Sequence, residues 1–120
     1  MHEVGIAQNL LALAAESVPE INGAQVRTLK VRLGPLAGVS PEELRFGFEV
    51  AAQDTPFASA RLDLEETQAV VFCPHCQQEL ILTDSEILIC PLCAAPNVRV
   101  VQGKELTLVA IEVAEDDDRG

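Results

Sequence analysis

Four cysteines in two close pairs constrain this chain more than any other feature. Cys73-Pro74-His75-Cys76 and Cys90-Pro91-Leu92-Cys93 are separated by thirteen residues, and each Cys-x-x-Cys presents two thiolates from one tight turn. Two such turns facing one another make a tetrahedral four-sulfur site of the kind zinc prefers. In a reducing compartment this spacing favours metal ligation over two disulfides. Redox or catalytic cysteines are the competing reading, but a set of four sulfurs leaves no open coordination position for a substrate or an activated water. His75 could replace a thiolate in principle; with four cysteines available it is expected to be exposed or to stand behind the ligands. Gln77 and Ala94 follow the two pairs, where a glycine would ease a left-handed turn.

Length bounds the rest. A chain of 120 residues makes one compact domain with a small appendage and excludes a large multi-domain enzyme. Four Phe and no Trp or Tyr leave the core to Val, Leu, Ile and Ala. Nineteen Asp and Glu against eight Lys and Arg give a net charge of -11, so a polyanion is repelled and no nucleic-acid partner is expected. No stretch reaches the roughly 20 apolar residues that cross a bilayer, and Met1-His2-Glu3 is not a basic leader. A cytoplasmic protein without membrane association is expected.

Periodicity places the elements. Val4, Ala7, Leu11, Ala14 and Val18 recur at helical intervals, broadened by Ile6, Leu10 and Leu13, with Pro19 ending the helix. From Val26 to Leu33 the pattern alternates, Leu29, Val31 and Leu33 facing a core and Thr28, Lys30 and Arg32 facing water. Ser40-Pro41-Glu42-Glu43 announces a second helix with a capping box, and Leu44, Phe48 and Ala51 supply its core row. Strands follow at 60–65 and at 105–113, the last so apolar that a central or doubly covered position is expected. The fold class is therefore α/β: a two-layer domain of two helices on a three-stranded sheet, residues 1–68 and 104–114, with an inserted four-cysteine zinc-ribbon-like domain at 69–103. That insertion has too few apolar residues for a separate core, so a metal is expected to organise it. Residues 115–120 form a flexible acidic tail.

The amino end offers a second donor set. The Met1 amine, the His2 amide nitrogen and the His2 imidazole can close a five-membered and a six-membered chelate ring around one ion, with the Glu3 amide completing a plane. Such a nitrogen-rich planar set suits nickel(II) or copper(II), although any protein beginning Met-His has the same donors.

Taken together, Met1-His2-Glu3, the first helix, Leu33-Gly34-Pro35-Leu36-Ala37-Gly38-Val39, Pro41-Glu42-Glu43-Leu44-Arg45-Phe46, the paired cysteines, Gly103-Lys104-Glu105-Leu106 and Ile111-Glu112-Val113 resemble the hydrogenase nickel-incorporation family HypA/HybF, over about Met1 to Val113. The resemblance implies a metallochaperone that delivers Ni(II) to the large subunit of a NiFe hydrogenase during maturation. It makes His2 the key nickel ligand, gives Glu3 a contribution through its backbone nitrogen or to nickel transfer, and makes Cys73, Cys76, Cys90 and Cys93 the ligands of a structural Zn(II). It also implies a nickel-binding GTPase accessory protein as partner, and for some members a role in urease maturation. Two departures stand out. Val4-Gly5 replaces the more usual Met or Leu followed by Ser, which is expected to delay the helix or loosen the terminus. Ser40 stands where some relatives carry an acid, and is assigned a capping role only.

No Ser-His-Asp or Cys-His constellation can be built from two histidines, so an enzyme is not expected. A zinc-ribbon interaction module without nickel transfer is the alternative, and it leaves the Met-His-Glu match accidental. Monomer and homodimer are both compatible with the sequence, because exposed edge strands can pair.

Overall fold

The computed structural model describes residues 2–17 and 26–114. Its elements are α1 (His2–Ser17), β1 (Val26–Leu33), α2 (Pro41–Ala52), β2 (Arg61–Glu66), β3 (Ala69–Cys73), β4 (Gln78–Leu82), β5 (Arg99–Gln102) and β6 (Leu106–Val113). They divide between two compact units. One comprises the described residues of Met1–Val31, Val39–Glu65 and Thr107–Gly120, the other Arg32–Gly38 and Glu66–Leu106. Val18 and Pro19, expected to close the first helix, and the acidic tail lie outside the described residues.

In the first unit α1 begins at His2, so Gly5 does not delay it. Glycine lowers helix propensity by only about 1 kcal/mol relative to Ala, which burial of Ala7, Leu10, Leu11 and Ala14 readily offsets. Leu13 does not broaden this row and is half exposed, because it lies one residue, about 100° of helical rotation, from Ala14. At α2 the sequence and structure agree closely. Ser40 Oγ accepts from the Glu43 N–H at 3.1 Å and the Ser40 N–H donates to Glu43 Oε1 at 2.9 Å, closing both bonds of the capping box with Pro41 in the first turn. The buried row runs Leu44, Phe48, Ala52, a strict i, i+4, i+8 spacing. Ala52 thus takes the place expected of Ala51, which is only partly buried. Gly47 is buried between them.

The sheet order is β2-β1-β6. The expectation of a central or doubly covered last strand is therefore corrected: β1 is central, and β6 stands at the edge with Thr107, Ala110 and Glu112 exposed. Side-chain polarity reports how far each face is covered, whereas the number of hydrogen-bonded neighbours is set laterally, by pairing between distant segments. The same arrangement explains Thr28. It sits on the face expected to be solvated, yet it is 8% exposed, because the middle strand is flanked on both sides. No helix among the described residues is long and apolar enough to cross a membrane.

The second unit has its own sheet, β4-β3-β5. β3 runs antiparallel to both neighbours, from Ala69 opposite Leu82 to Cys73 opposite Gln78, with an irregularity in the β5 register at Val70/Val71. Ala69, Val71 and Leu82 form a small buried cluster packed by Leu36, Leu80, Val98 and Val100. The expectation that this part of the chain lacks a core is corrected accordingly. Leu36 comes from the loop after β1 and supplements the apolar residues of the cysteine module. That loop is fixed by Gly34 N–H to Glu105 O (2.8 Å) and Leu36 N–H to Gly103 O (2.7 Å). Glu105 closes the same corner, its carboxylate accepting from Thr67 Oγ1 at 2.8 Å and from the Gly103 N–H at 3.2 Å. Its own backbone N–H, the Thr67 hydroxyl, the Gly103 N–H and the charge of Arg32 hold that carboxyl below the usual range against the opposing effect of burial.

Candidate metal centre

The two knuckles are built alike. β3 ends on Cys73, and the chain turns through Pro74-His75-Cys76 with the Gln77 N–H donating to Cys73 O at 2.7 Å before β4 starts. At the second knuckle the Ala94 N–H donates to Cys90 O at 2.9 Å, and the Cys90 N–H to Ala95 O at 2.9 Å. Both turns close on a left-handed residue, Gln77 at φ 60° and Ala94 at φ 63°. The chain makes the turn a glycine would ease without having the glycine. Gln77 gains a compensating bond, its side-chain amide donating to Pro74 O at 2.6 Å.

These turns gather all four sulfurs within 4.8 Å of one another. Cys73 Sγ is 3.6 Å from Cys93 Sγ, and Cys76 Sγ is 3.8 Å from Cys90 Sγ. A disulfide needs about 2.05 Å, whereas a regular tetrahedron with zinc-sulfur bonds of about 2.3 Å has sulfur-sulfur edges of about 3.8 Å. The spacing fits a metal between the knuckles. Backbone N–H groups turn toward the sulfurs, Cys76 to Cys73 Sγ and both Leu92 and Cys93 to Cys90 Sγ, each at 3.4 Å.

Hydrogen bonding already polarises the set. At Cys90 burial raises the thiol pKa, but the N–H groups of Cys93 and Leu92 and the neighbouring thiols outweigh it and bring it down to about 7. Cys76 is pushed up to about 12 by its bond to Cys93, by burial, and by Cys90 and Cys73. A dication reverses this uphill arrangement by binding the thiolates directly. Cys73 and Cys90 are fully buried, Cys76 is half-buried and Cys93 is exposed. His75 is exposed on the first knuckle and does not belong to the sulfur cluster.

The other predicted donors lie in the first unit. Met1 falls outside the described residues. His2 and Glu3 open α1, with His2 Nδ1 3.9 Å from Glu3 Oε1; the His2 side chain is 64% exposed and that of Glu3 13%. His2 and Glu3 thus stand in the first turn of the helix, whose opening N–H groups lie outside the i to i−4 ladder. Glu43 stands within electrostatic reach of His2. Its carboxyl is held below the usual range chiefly by the Ser40 N–H, against a burial effect, with the Ser40 hydroxyl and His2 adding smaller contributions.

The sequence reading overlooked Gly47. A Cβ at this position would collide with the carbonyl oxygen of Glu3 and stand 2.7 Å from its carbonyl carbon and 3.1 Å from Val4 N. A glycine inside an otherwise helical pattern was the available signal.

The chain matches, over residues 1–113, the family described as hydrogenase/urease nickel incorporation, metallochaperone, hypA. It is 43% identical over 112 residues to the hydrogenase maturation factor HypA of Chloroflexus aurantiacus, covering 93% of this chain and 98% of the relative. It is 41% identical over 109 residues to that of Deinococcus radiodurans, covering 90% and 89%. The fold is similar to the solution structure of the Ni metallochaperone HypA from Helicobacter pylori, with a TM-score of 0.64, 20% identity, and 97% and 100% of the two chains covered. The chain therefore belongs to the HypA family of hydrogenase/urease nickel-incorporation proteins, and its general role is that of a nickel metallochaperone rather than an enzyme.

Proposed function

We propose that this protein binds Ni(II) through His2, assisted by the Met1 amine and the amide nitrogens of His2 and Glu3, and delivers it for insertion into the large subunit of a NiFe hydrogenase. The single observation that carries this reading is the family match across residues 1–113, which includes an exposed His2 on a helix start. His2 and Glu3 occupy the first turn of α1, where backbone N–H groups lie outside the i to i−4 ladder of the helix. Those nitrogens bind only once deprotonated, so nickel affinity is expected to rise with pH.

Cys73, Cys76, Cys90 and Cys93 hold a structural Zn(II). With four thiolates around it, this site carries a net -2 and leaves no position for cargo. The two metals have different tasks: a terminal site with nitrogen donors can load and release, whereas a closed four-sulfur site fixes a fold. The corresponding division is a nickel-binding domain of residues 1–68 and 104–114 and a zinc-binding domain of residues 69–103. The nickel-binding GTPase accessory protein and the hydrogenase large subunit are the partners of this cycle, which runs in the cytoplasm.

The test is nickel titration of tag-free protein beside His2→Ala and a version with extra amino-terminal residues. The latter two should lose the tight site while keeping their zinc. Equal stoichiometric affinity in all three would defeat the donor set. In cells, removal of the protein should lower hydrogenase nickel content and excess nickel should restore it; unchanged nickel content would refute the delivery role.

A further inference from the structure

Gly47 does more than interrupt the buried face of α2. It is buried on α2, three residues before the chain reaches the exposed Val50 and one turn beyond Glu43. The space a side chain would occupy there is filled by the backbone of the first turn of α1: the Glu3 carbonyl and the Val4 nitrogen. Two helices meet at this point backbone to backbone, a closer approach than side chains permit. The consequence for the neighbouring side chains is visible. The Glu3 side chain is 13% exposed, while that of His2, one residue earlier, is 64% exposed. Glu43, on the same stripe of α2 as Gly47, faces His2 closely enough to feel its charge.

We infer that Gly47 is a positioning residue for nickel: by letting α2 seat the backbone of Glu3 and Val4, it fixes the turn that carries the His2 and Glu3 donors. This inference rests on the terminal nickel site proposed above and adds what holds that site in place. The physical need is plain. Nitrogens that must converge on one ion lose affinity when the segment carrying them can swing, because ordering that segment is then charged to binding. A methyl at position 47 cannot be absorbed by a flexible side chain, since what it meets is backbone, so the first turn of α1 must lift from α2.

The experiment compares nickel affinity of tag-free wild type, G47A and H2A, with zinc content and the thermal transition recorded for each. G47A should bind nickel about 10-fold or more weakly, the scale on which support behind metal ligands acts, while retaining zinc. If H2A loses the site but G47A binds as wild type does, Gly47 has no positioning role and the terminal site stands. If H2A itself binds as wild type does, the terminal site is wrong and the inference falls with it. Should G47A not fold, nickel titration of the wild type followed by NMR decides. The Gly47 amide should shift in step with the His2 ring protons and the Val4 amide as the His2 and Glu3 amide signals are lost, and a Gly47 signal that stays fixed while the His2 ring moves would overturn the inference.

Discussion

Cys73 Sγ lies 3.6 Å from Cys93 Sγ, so the first cysteine of one knuckle faces the last cysteine of the other. Cys76 and Cys90 complete the exchange at 3.8 Å. Cys73 and Cys93, twenty positions apart in sequence, are thus folded back until sulfur edges match those expected of a tetrahedral zinc site. A metal held between the knuckles would add to the stabilisation that the small apolar cluster of Ala69, Val71 and Leu82 supplies.

Replacing either buried sulfur should therefore dismantle the second unit. Cys73→Ser and Cys90→Ser are expected to bring zinc down from about one per chain toward none and to expose the β3 amides to hydrogen exchange. His75→Ala should keep both zinc and protection. Metal analysis with a zinc-edge absorption spectrum checks this: a sulfur-only shell in the His75 variant is the expected result, and nitrogen ligands in the wild type would reassign His75.

Ala94 at φ 63° gives a substitution that should improve the protein. A left-handed conformation costs a non-glycine residue roughly 1–2 kcal/mol, so Ala94→Gly should stabilise the metal-loaded knuckle by about 1 kcal/mol and slow zinc loss to a chelator. Gln77→Gly should gain less, since it forfeits the bond from the Gln77 side chain to Pro74 O. Thermal midpoints and chelator competition rank the two variants.

Gly34 should tolerate nothing larger. A Cβ there would collide with the Gly103 carbonyl and stand 2.5 Å from Glu105 Oε1, in the corner where Gly34 and Leu36 donate to Glu105 and Gly103. Gly34→Ala is expected to cost roughly 1–3 kcal/mol by overpacking, measurable in urea unfolding with zinc present.

The capping box of α2 has an acid-sensitive half. Ser40→Ala should cost about 1 kcal/mol at neutral pH. The Glu43 carboxyl titrates below its ordinary value of 4.5 when folded, so its contribution is whole above that value and is lost as pH falls through the lowered one. The thermal midpoint of Glu43→Gln should accordingly lie below that of wild type at pH 7, and the gap should close on acidification. A gap independent of pH would contradict the hydrogen-bonded carboxylate.

Much of this was legible in the sequence because it is local. Ser40 and Glu43 are three residues apart, the alternation of β1 is a property of successive side chains, and each cysteine knuckle closes its turn within five residues. Even the strain at Gln77 and Ala94 could be anticipated from the missing glycines. The tertiary structure decided what depends on segments distant in the chain. It placed β1 rather than β6 in the middle of the sheet, because lateral pairing leaves little trace in side-chain polarity. It matched Cys73 with Cys93 and Cys76 with Cys90, a choice the spacing of two equivalent pairs does not make. It brought Leu36 into the cluster around Val71. And it set Gly47 against the backbone of Glu3, forty-four residues away in sequence, where the absence of a side chain matters only because another helix occupies its place.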